Sequence, residues 1–399
     1  MSLKITRTRA IATAPAGIPL VVVRVETNEP GLYGLGCATF TQRWKTVVNA
    51  VEEYMDPFLR GKDPRNIEDV WHTAMVSAYW RNGPVLNNAL SGVDMALWDI
   101  AGKLASMPVY ALWGGKCREG VAVYTHAGAR ELPELMDRVQ RMIEEGFFNI
   151  RCQLGRYGGE GHAINKPDGA PEGAYYDPNR YVMETLDMMA ALRERFGYDV
   201  RFLHDVHERL PLVDALYMAR EMERYRLLFL EDLLQPEQVD GFRLIRSACA
   251  TPLAMGELFN HPLEWRTLVT EKLIDFIRVH VSQIGGVTPA RKLAALCECF
   301  GVRTAWHGPG DVSPVGHVAN LHLDIACPNF GVQEWSGLRD PLPEVFPGCP
   351  ELRRGYVYVN DQPGWGIDID EEKAARYTCP ETLPMWTMAR WPDGTSFTP

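Results

Sequence analysis

No stretch of this sequence stays apolar for long. The best run, Ile18-Pro19-Leu20-Val21-Val22-Val23, stops at Arg24, far short of a helix that spans a bilayer. A cysteine framework is also missing. The nine cysteines are scattered, and the closest pair, Cys297 and Cys299, has a C-x-C spacing that fits a zinc knuckle poorly. An odd count with no secretion signal points to reduced thiols in a cytoplasm. Basic charge is in deficit, 41 Lys and Arg against 51 Asp and Glu, for a formal net charge of -10. That balance argues against a nucleic-acid partner, which needs clustered cations. It leaves room for a small anionic substrate, because a bound metal can reverse the local field. Low-complexity segments are absent.

What is present is ordinary globular composition, 46% apolar and 23% charged over 399 residues, enough for a barrel and a second, smaller domain. The opening hundred residues do not alternate strand and helix. Leu20 to Glu26 is β-branched and Gly31 to Cys37 glycine-rich, which predicts an antiparallel hairpin. A helix is predicted after Pro84, with Leu86, Leu90, Val93, Leu97, Ile100 and Leu104 at helical spacing and Pro108 just beyond its end. This is an α+β capping domain, expected over residues 1–115.

From Val121 the cadence changes to short β-rich runs separated by helical segments. The runs are Val121–Tyr124, Asn149–Cys152, Val200–Leu203, Leu227–Leu230, Pro252–Met255, Phe276–Val279, Val302–Ala305 and Gly331–Gln333. Eight such units predict an α/β domain of the (β/α)8, TIM-like type, expected over residues 116–345. The loop from Gly155 to Pro178 is long and rich in Gly and Pro, as functional loops often are. After Glu334 the rhythm is lost, and residues 346–399 are expected to wrap back over the cap and the barrel mouth.

Chemistry-bearing residues follow every predicted strand: His126; Arg151 and Gln153; Asp205 and His207; Glu231 and Asp232; Glu257; Arg278 and His280; His307; and Glu334. In a β/α barrel these positions meet at one mouth, where active sites sit. Asp205, Glu231 and Glu257 are the sharpest set, each following an apolar run, with equal gaps between them. Three carboxylates on neighbouring strand ends repel one another unless a cation intervenes, and Mg²⁺ suits an all-oxygen cage. The bland alternative makes them ion-pair partners of barrel arginines. His207 lies two residues past Asp205, so strand alternation aims both at the mouth, and with His307 it is a candidate general acid or base. His204 and His207 also form H-x-x-H, a spacing open to zinc, although the carboxylate-rich surroundings favour a harder ion. Arg151 either neutralises barrel carboxylates, or lowers the pKa of a neighbouring base or anchors a substrate carboxylate.

These motifs resemble the enolase superfamily, and within it the mannonate dehydratase branch, which includes starvation-sensing proteins. The signposts are Ala78-Tyr79-Trp80-Arg81, Val93-Asp94-Met95-Ala96-Leu97-Trp98-Asp99, Ile150-Arg151-Cys152-Gln153, His204-Asp205-Val206-His207, Gly256-Glu257-Leu258-Phe259-Asn260, His307-Gly308-Pro309 and Pro328-Asn329-Phe330-Gly331-Val332-Gln333-Glu334. Arg151-Cys152-Gln153 stands where many superfamily members carry Lys-x-Lys.

The resemblance implies a Mg²⁺-dependent acid-sugar dehydratase for D-mannonate, D-gluconate or a close relative. Such an enzyme removes the C2 proton to an enediolate and eliminates the 3-hydroxyl, giving a 2-keto-3-deoxy sugar acid. By the same resemblance, Asp205, Glu231 and Glu257 hold Mg²⁺, His207 assists departure of the hydroxyl, and Arg151 pairs with a tyrosine base, Tyr157. His126, Arg278, His307, Asp311 and Glu334 would contact the sugar acid. Three positions depart from the branch: the loop before Tyr157 is shorter, Thr41 replaces a substrate-binding asparagine, and Phe397 replaces a closing tryptophan. Those changes leave a second reading open, a weak or inactive member that keeps its metal and acts as a binding or regulatory protein. A symmetric homo-oligomer is also implied. No membrane partner is expected.

Overall fold

The computed structural model describes residues 2–155, 166–381 and 389–397. Three antiparallel strands come first, β1 (Ile5–Thr13), β2 (Leu20–Thr27) and β3 (Tyr33–Cys37). The second is buried on both faces. Val21, Val23 and Val25 join the cap core, while Leu20 and Val22 join the core shared with the barrel. Helix Pro84–Ala105 lies against this sheet, and it needs glycines to do so. A β-carbon at Gly34 would collide with the carbonyl oxygen of Ala96, and one at Gly36 with that of Gly92.

The cap helix also grips the barrel. Asp94 accepts hydrogen bonds from the Thr288 amide (2.9 Å) and hydroxyl (2.5 Å), and the Trp98 indole donates to Thr288 Oγ1 at 2.9 Å. One turn from the helix start, the Asn87 side-chain amide donates to the Asn260 and Gln283 carbonyls. These residues follow barrel strands on the mouth side. The Val93-to-Asp99 signpost is therefore the joint between cap and barrel.

The barrel strands are β4 (Val121–Ala129), β5 (Asn149–Leu154), β7 (Arg201–Asp205), β8 (Leu230–Glu231), β9 (Leu253–Met255), β10 (Phe276–Ile277), β11 (Arg303–Thr304) and β12 (Gln333–Glu334); β6 (Ala174–Tyr175) lies outside the ring. Neighbours pair in parallel and in order. A Thr304–Phe330 bridge and the β12–β4 ladder, Gln333 opposite Val123, close the circle. Each of the eight expected runs overlaps an observed strand. Crossover helices such as Leu132–Glu144, Pro178–Phe196 and Pro314–Ala326 cover the outside, and the eighth strand is followed only by the short Leu342–Val345. No helix among the described residues is long and apolar enough to cross a membrane.

The C-terminal segment corrects one expectation. Hairpin β13 (Glu351–Arg353) and β14 (Tyr356–Tyr358) does not reach the mouth. It pairs with the start of β4, Tyr356 opposite Ala122, at the amino end of the barrel. The chain then climbs the cap. Trp365 donates its amide to Asp99 Oδ1 (2.9 Å), and Glu371 pairs with Arg9 and Arg24. Last, β15 (Ala389–Arg390) joins β16 (Ser396–Phe397) and β6, so this end meets the loop that follows β5.

Candidate functional site

Side-chain alternation along the strands stacks the barrel interior in layers. Tyr124, Leu203, Phe229, Ala254, Phe276, Ala305 and Val332 form one closed apolar cluster. Two residues further along six of those strands stand His126, Asp205, Glu231, Arg278, His307 and Glu334, and Arg151 on β5 lies in register with His126 and Leu203. An apolar plug thus supports a polar mouth. The exception is β9, where the position two past Ala254 is Gly256, at φ 137°, and Glu257 follows it.

The mouth is crowded with carboxylates. Arg151 Nη1 lies 2.7 Å from Glu231 Oε1 and 3.1 Å from Asp205 Oδ2. Arg278 Nη2 lies 3.1 Å from both Glu231 Oε1 and Glu257 Oε2, and its Nη1 lies 3.3 Å from Glu334 Oε2. Asp205 Oδ1 and Glu231 Oε2 are buried with no hydrogen-bond partner among the described residues. The ion-pair alternative for the carboxylates is thus half true, since Asp205 and Glu231 each give one oxygen to arginine and leave the other unmatched among the described residues. The expected trio forms two adjoining groups. Asp205, Glu231 and Asp232 offer oxygens within 4.8 Å of one another, and so do the ligand atoms of His207, Glu208 and Glu257.

Asp232 and Glu208 were not among the expected ligands. Both sit in left-handed backbone, at φ 48° and 57°, as does His207 at φ 58°. Such φ values are uncommon for residues with a β-carbon and concentrate at functional sites. Strand alternation therefore does not carry through to His207, because β7 ends at Asp205. The turn instead brings His207 Nε2 to 3.4 Å from Glu257 Oε1. A signal was available in the charged run His207-Glu208-Arg209 directly after a strand.

Electrostatics point the same way as geometry. Burial pushes Glu231 up to about 8, with Asp205 adding to it, while Arg278 and Arg151 pull against it. Burial, Asp232 and Glu257 hold the Glu208 carboxyl well above the usual range, and burial with Glu257 does the same at Asp232. Burial acts in the same direction on Glu334, but there Arg278, His307 and His126 win and keep the carboxyl well below its ordinary value. Two arginines cannot neutralise Asp205, Glu208, Glu231, Asp232, Glu257 and Glu334. Unmatched oxygens in a buried carboxylate cage fit a hard divalent cation.

The remaining predicted residues fall unevenly. His126 Nε2 lies 2.8 Å from Glu334 Oε1, and Arg151 Nη2 is 3.4 Å from His126 Nδ1. His307 Nε2 lies 3.3 Å from Glu257 Oε2, and its Nδ1 shares a 2.8 Å hydrogen bond with His280 Nδ1. Burial lowers both of these rings to about 3. Asp311 is half-buried, and burial followed by Glu257 and Glu334 raises it to about 6. Thr41 is buried in the cap, its hydroxyl donating to the Pro19 carbonyl at 3.0 Å. Phe397 lies in β16 opposite Ala389.

Tyr157 lies outside the described residues. Later in that loop, Tyr175 donates its hydroxyl to Pro171 within the loop, and Tyr176 packs against Tyr181 and Trp391. His204 faces outward. Its Nε2 pairs with the Tyr181 hydroxyl (2.7 Å) and its Nδ1 with the Cys152 carbonyl (2.8 Å), so the H-x-x-H zinc reading fails for want of a free nitrogen.

A closed parallel β/α barrel under an α+β cap, with acid gathered at the carboxyl ends of its strands, defines a class of metal-assisted barrel enzymes. Residues 6–114 match the family described as mandelate racemase / muconate lactonizing enzyme, N-terminal domain, and residues 134–373 match enolase C-terminal domain-like. The chain belongs to the enolase superfamily. It is 54% identical to the D-galactonate dehydratase family member SEN1436 of Salmonella enteritidis PT4, over 100% of this chain and 99% of that one. It is 55% identical to the family member Dd703_0947 of Musicola paradisiaca, with 100% and 99% covered. Among solved structures, an enolase from Pantoea ananatis with bound D-gluconate and Mg superposes with a TM-score of 0.98 at 52% identity, covering 100% of both chains. One from Agrobacterium radiobacter with bound Na and L-malate gives 0.87 at 25% identity, covering 99% of this chain and 100% of that one.

Proposed function

We propose that this protein is a Mg²⁺-dependent acid-sugar dehydratase that acts on D-gluconate, D-mannonate or a close relative. The observation that carries this reading is the pair of adjoining carboxylate groups at the barrel mouth, with buried oxygens left unmatched by Arg151 and Arg278. The names of its relatives and the gluconate bound by the Pantoea protein support the substrate class. Asp205, Glu231 and Glu257 would hold the ion, with Asp232 and Glu208 adding negative charge close by. When bound, Mg²⁺ supplies the positive charge that a substrate carboxylate needs as its α-proton leaves.

The chain's own residues do the rest. Arg151 is buried midway along β5, so its fixed charge favours an anionic base on the loop that leaves this strand. Tyr157 is the residue proposed for that role. His207, held beside Glu257, is placed to hand a proton to the departing 3-hydroxyl. His307 is kept neutral by burial, so it orients hydroxyl groups rather than adding charge. His126, Arg278, Asp311 and Glu334 complete the ring around the sugar acid, with Thr41 on the cap side and Phe397 on the C-terminal side. Elimination yields a 2-keto-3-deoxy acid and water.

One observation favours the second reading. Tyr175 donates to Pro171 within the loop after β5 and Tyr176 packs against Tyr181 and Trp391, so a chain whose Tyr157 falls short of the mouth would bind acid sugars without turning them over. Glu231→Gln separates a metal-dependent reaction from a fold-only role. It should lower turnover by about 10³-fold or more while leaving the melting temperature within a few degrees. Undiminished turnover in that variant would remove Glu231 from the proposed ion cage.

A further inference from the structure

Arginines gather at the end of the barrel opposite the mouth. The alternation that turns Leu203 and Asp205 inward on β7 places Arg201 on the same face, at the amino end of the strand. On β11 the same spacing relates Arg303 to Ala305 and His307. Arg201 and Arg303 are exposed there. Arg303 donates to the Phe330 carbonyl at 2.9 and 3.2 Å, and Arg118, stacked over the Phe330 ring at 4.8 Å, donates to backbone carbonyls including that of Cys327. None of these three arginines pairs with a carboxylate among the described residues. Burial lowers the Arg303 guanidinium from its ordinary value, and so do its like-charged neighbours Arg201 and Arg118.

Beside Arg201 lies a cavity of about 570 Å³, lined by Arg201, Glu223, Arg226, Leu228, Thr251 and Pro252 among others. The Arg201 and Arg226 side chains have no hydrogen bond or ion pair among the described residues. Arg226 holds φ 46°, and the Arg193 guanidinium fixes its carbonyl at 3.1 Å. The one acid in the lining, Glu223, has Oε1 engaged by the Ala250 amide at 2.7 Å. In a chain of net charge -10, two unpaired arginines opening on one cavity, with a third arginine set over the same barrel end, form a local excess of cation.

We propose that this amino-end cavity is an anion site for a small phosphate ester, gripped by Arg201 and Arg226 and supported by the field of Arg303. Guanidinium forks match a doubly charged tetrahedral anion, and the cavity has the size of a small-metabolite site. Such a ligand would not compete with a substrate at the mouth, because Arg201 and Asp205 lie at opposite ends of one strand. The inference stands apart from the dehydratase reading, since none of its residues belongs to the mouth.

Calorimetric titration of the full chain with inorganic phosphate and with glucose 6-phosphate tests it, at constant ionic strength and with EDTA present. EDTA prevents phosphate from binding through a metal at the mouth. Saturable binding is expected, weakened about tenfold or more by Arg201→Gln combined with Arg226→Gln, with the melting temperature of the ligand-free protein unchanged. Phosphate should also slow modification of Arg201 by phenylglyoxal in the wild-type chain, which needs no variant to fold. Equal heats from chloride, unchanged affinity in the double variant, displacement of phosphate by a short RNA at far lower concentration, or no protection of Arg201 would each overturn the proposal.

Discussion

Asp205 and Glu231 show how a single side chain can be both salt-bridged and incomplete. Each places one oxygen against Arg151 and keeps the other buried without a partner among the described residues. Burial raises Glu231 against the pull of Arg278 and Arg151, and a cation at the open oxygens would favour its charged form. His207 is positioned differently, by a left-handed turn rather than by a strand. Its proposed role is proton transfer, so His207→Asn should cut kcat by roughly 10²–10⁴-fold and leave KM nearly unchanged in steady-state assays. A rise in KM with kcat intact would make it a substrate-binding residue instead. At this scale the sequence was readable where strands carried the information. Asp205, Glu231, Arg278, His307 and Glu334 were all marked by the apolar residue two positions before them. Glu208 and Asp232 also follow an apolar residue by two positions, Val206 and Leu230, but their placement depends on positive φ, which neither residue type announces.

Elements hold these side chains in register only if the cap helix approaches its sheet closely. Gly36→Ala tests that packing. Its new methyl would meet the Gly92 carbonyl, a rigid backbone atom, and should destabilise the cap on the order of 2–4 kcal/mol, seen as a lower calorimetric Tm. An unchanged Tm would mean that the helix can retreat without loss. The eight barrel strands were legible because each is a short, mostly apolar run before a polar cluster. Strand β1 was not, since Ile5–Thr13 is an edge strand whose mixed burial dilutes any alternation. The β13–β14 hairpin, within a segment expected over the cap and the mouth, lies instead at the amino end of the barrel. Glu351, Leu352 and Arg353 are all exposed and carry no inward face, so nothing local says which end of the barrel they meet.

At the scale of the whole molecule, charge is segregated along the barrel axis, with acid at the mouth and arginine at the amino end. Several histidines are buried as neutral rings, which makes the fold sensitive to acid. His322 accepts the Tyr110 amide at 3.1 Å, and burial lowers it to about 3 against an ordinary value near 6.5. Its folded pKa lies below its unfolded one, so the unfolded chain binds the extra proton between those values. The stability it contributes is full above about pH 6.5 and is lost progressively as pH falls towards 3. Tm should therefore drop between pH 7 and pH 5, and His322→Asn, which keeps an acceptor for the amide, should flatten part of that slope. A slope identical to wild type would assign the acid sensitivity to other groups.

Mg²⁺-dependent dehydration of an acid sugar is measured by assaying aldonic and aldaric acids with and without Mg²⁺, reading 2-keto-3-deoxy product as its semicarbazone. Product is expected from gluconate, mannonate or a near relative, abolished by EDTA and restored by Mg²⁺. No product from any acid at high enzyme concentration, with the metal bound, would contradict it and leave a binding protein on an enzyme's fold.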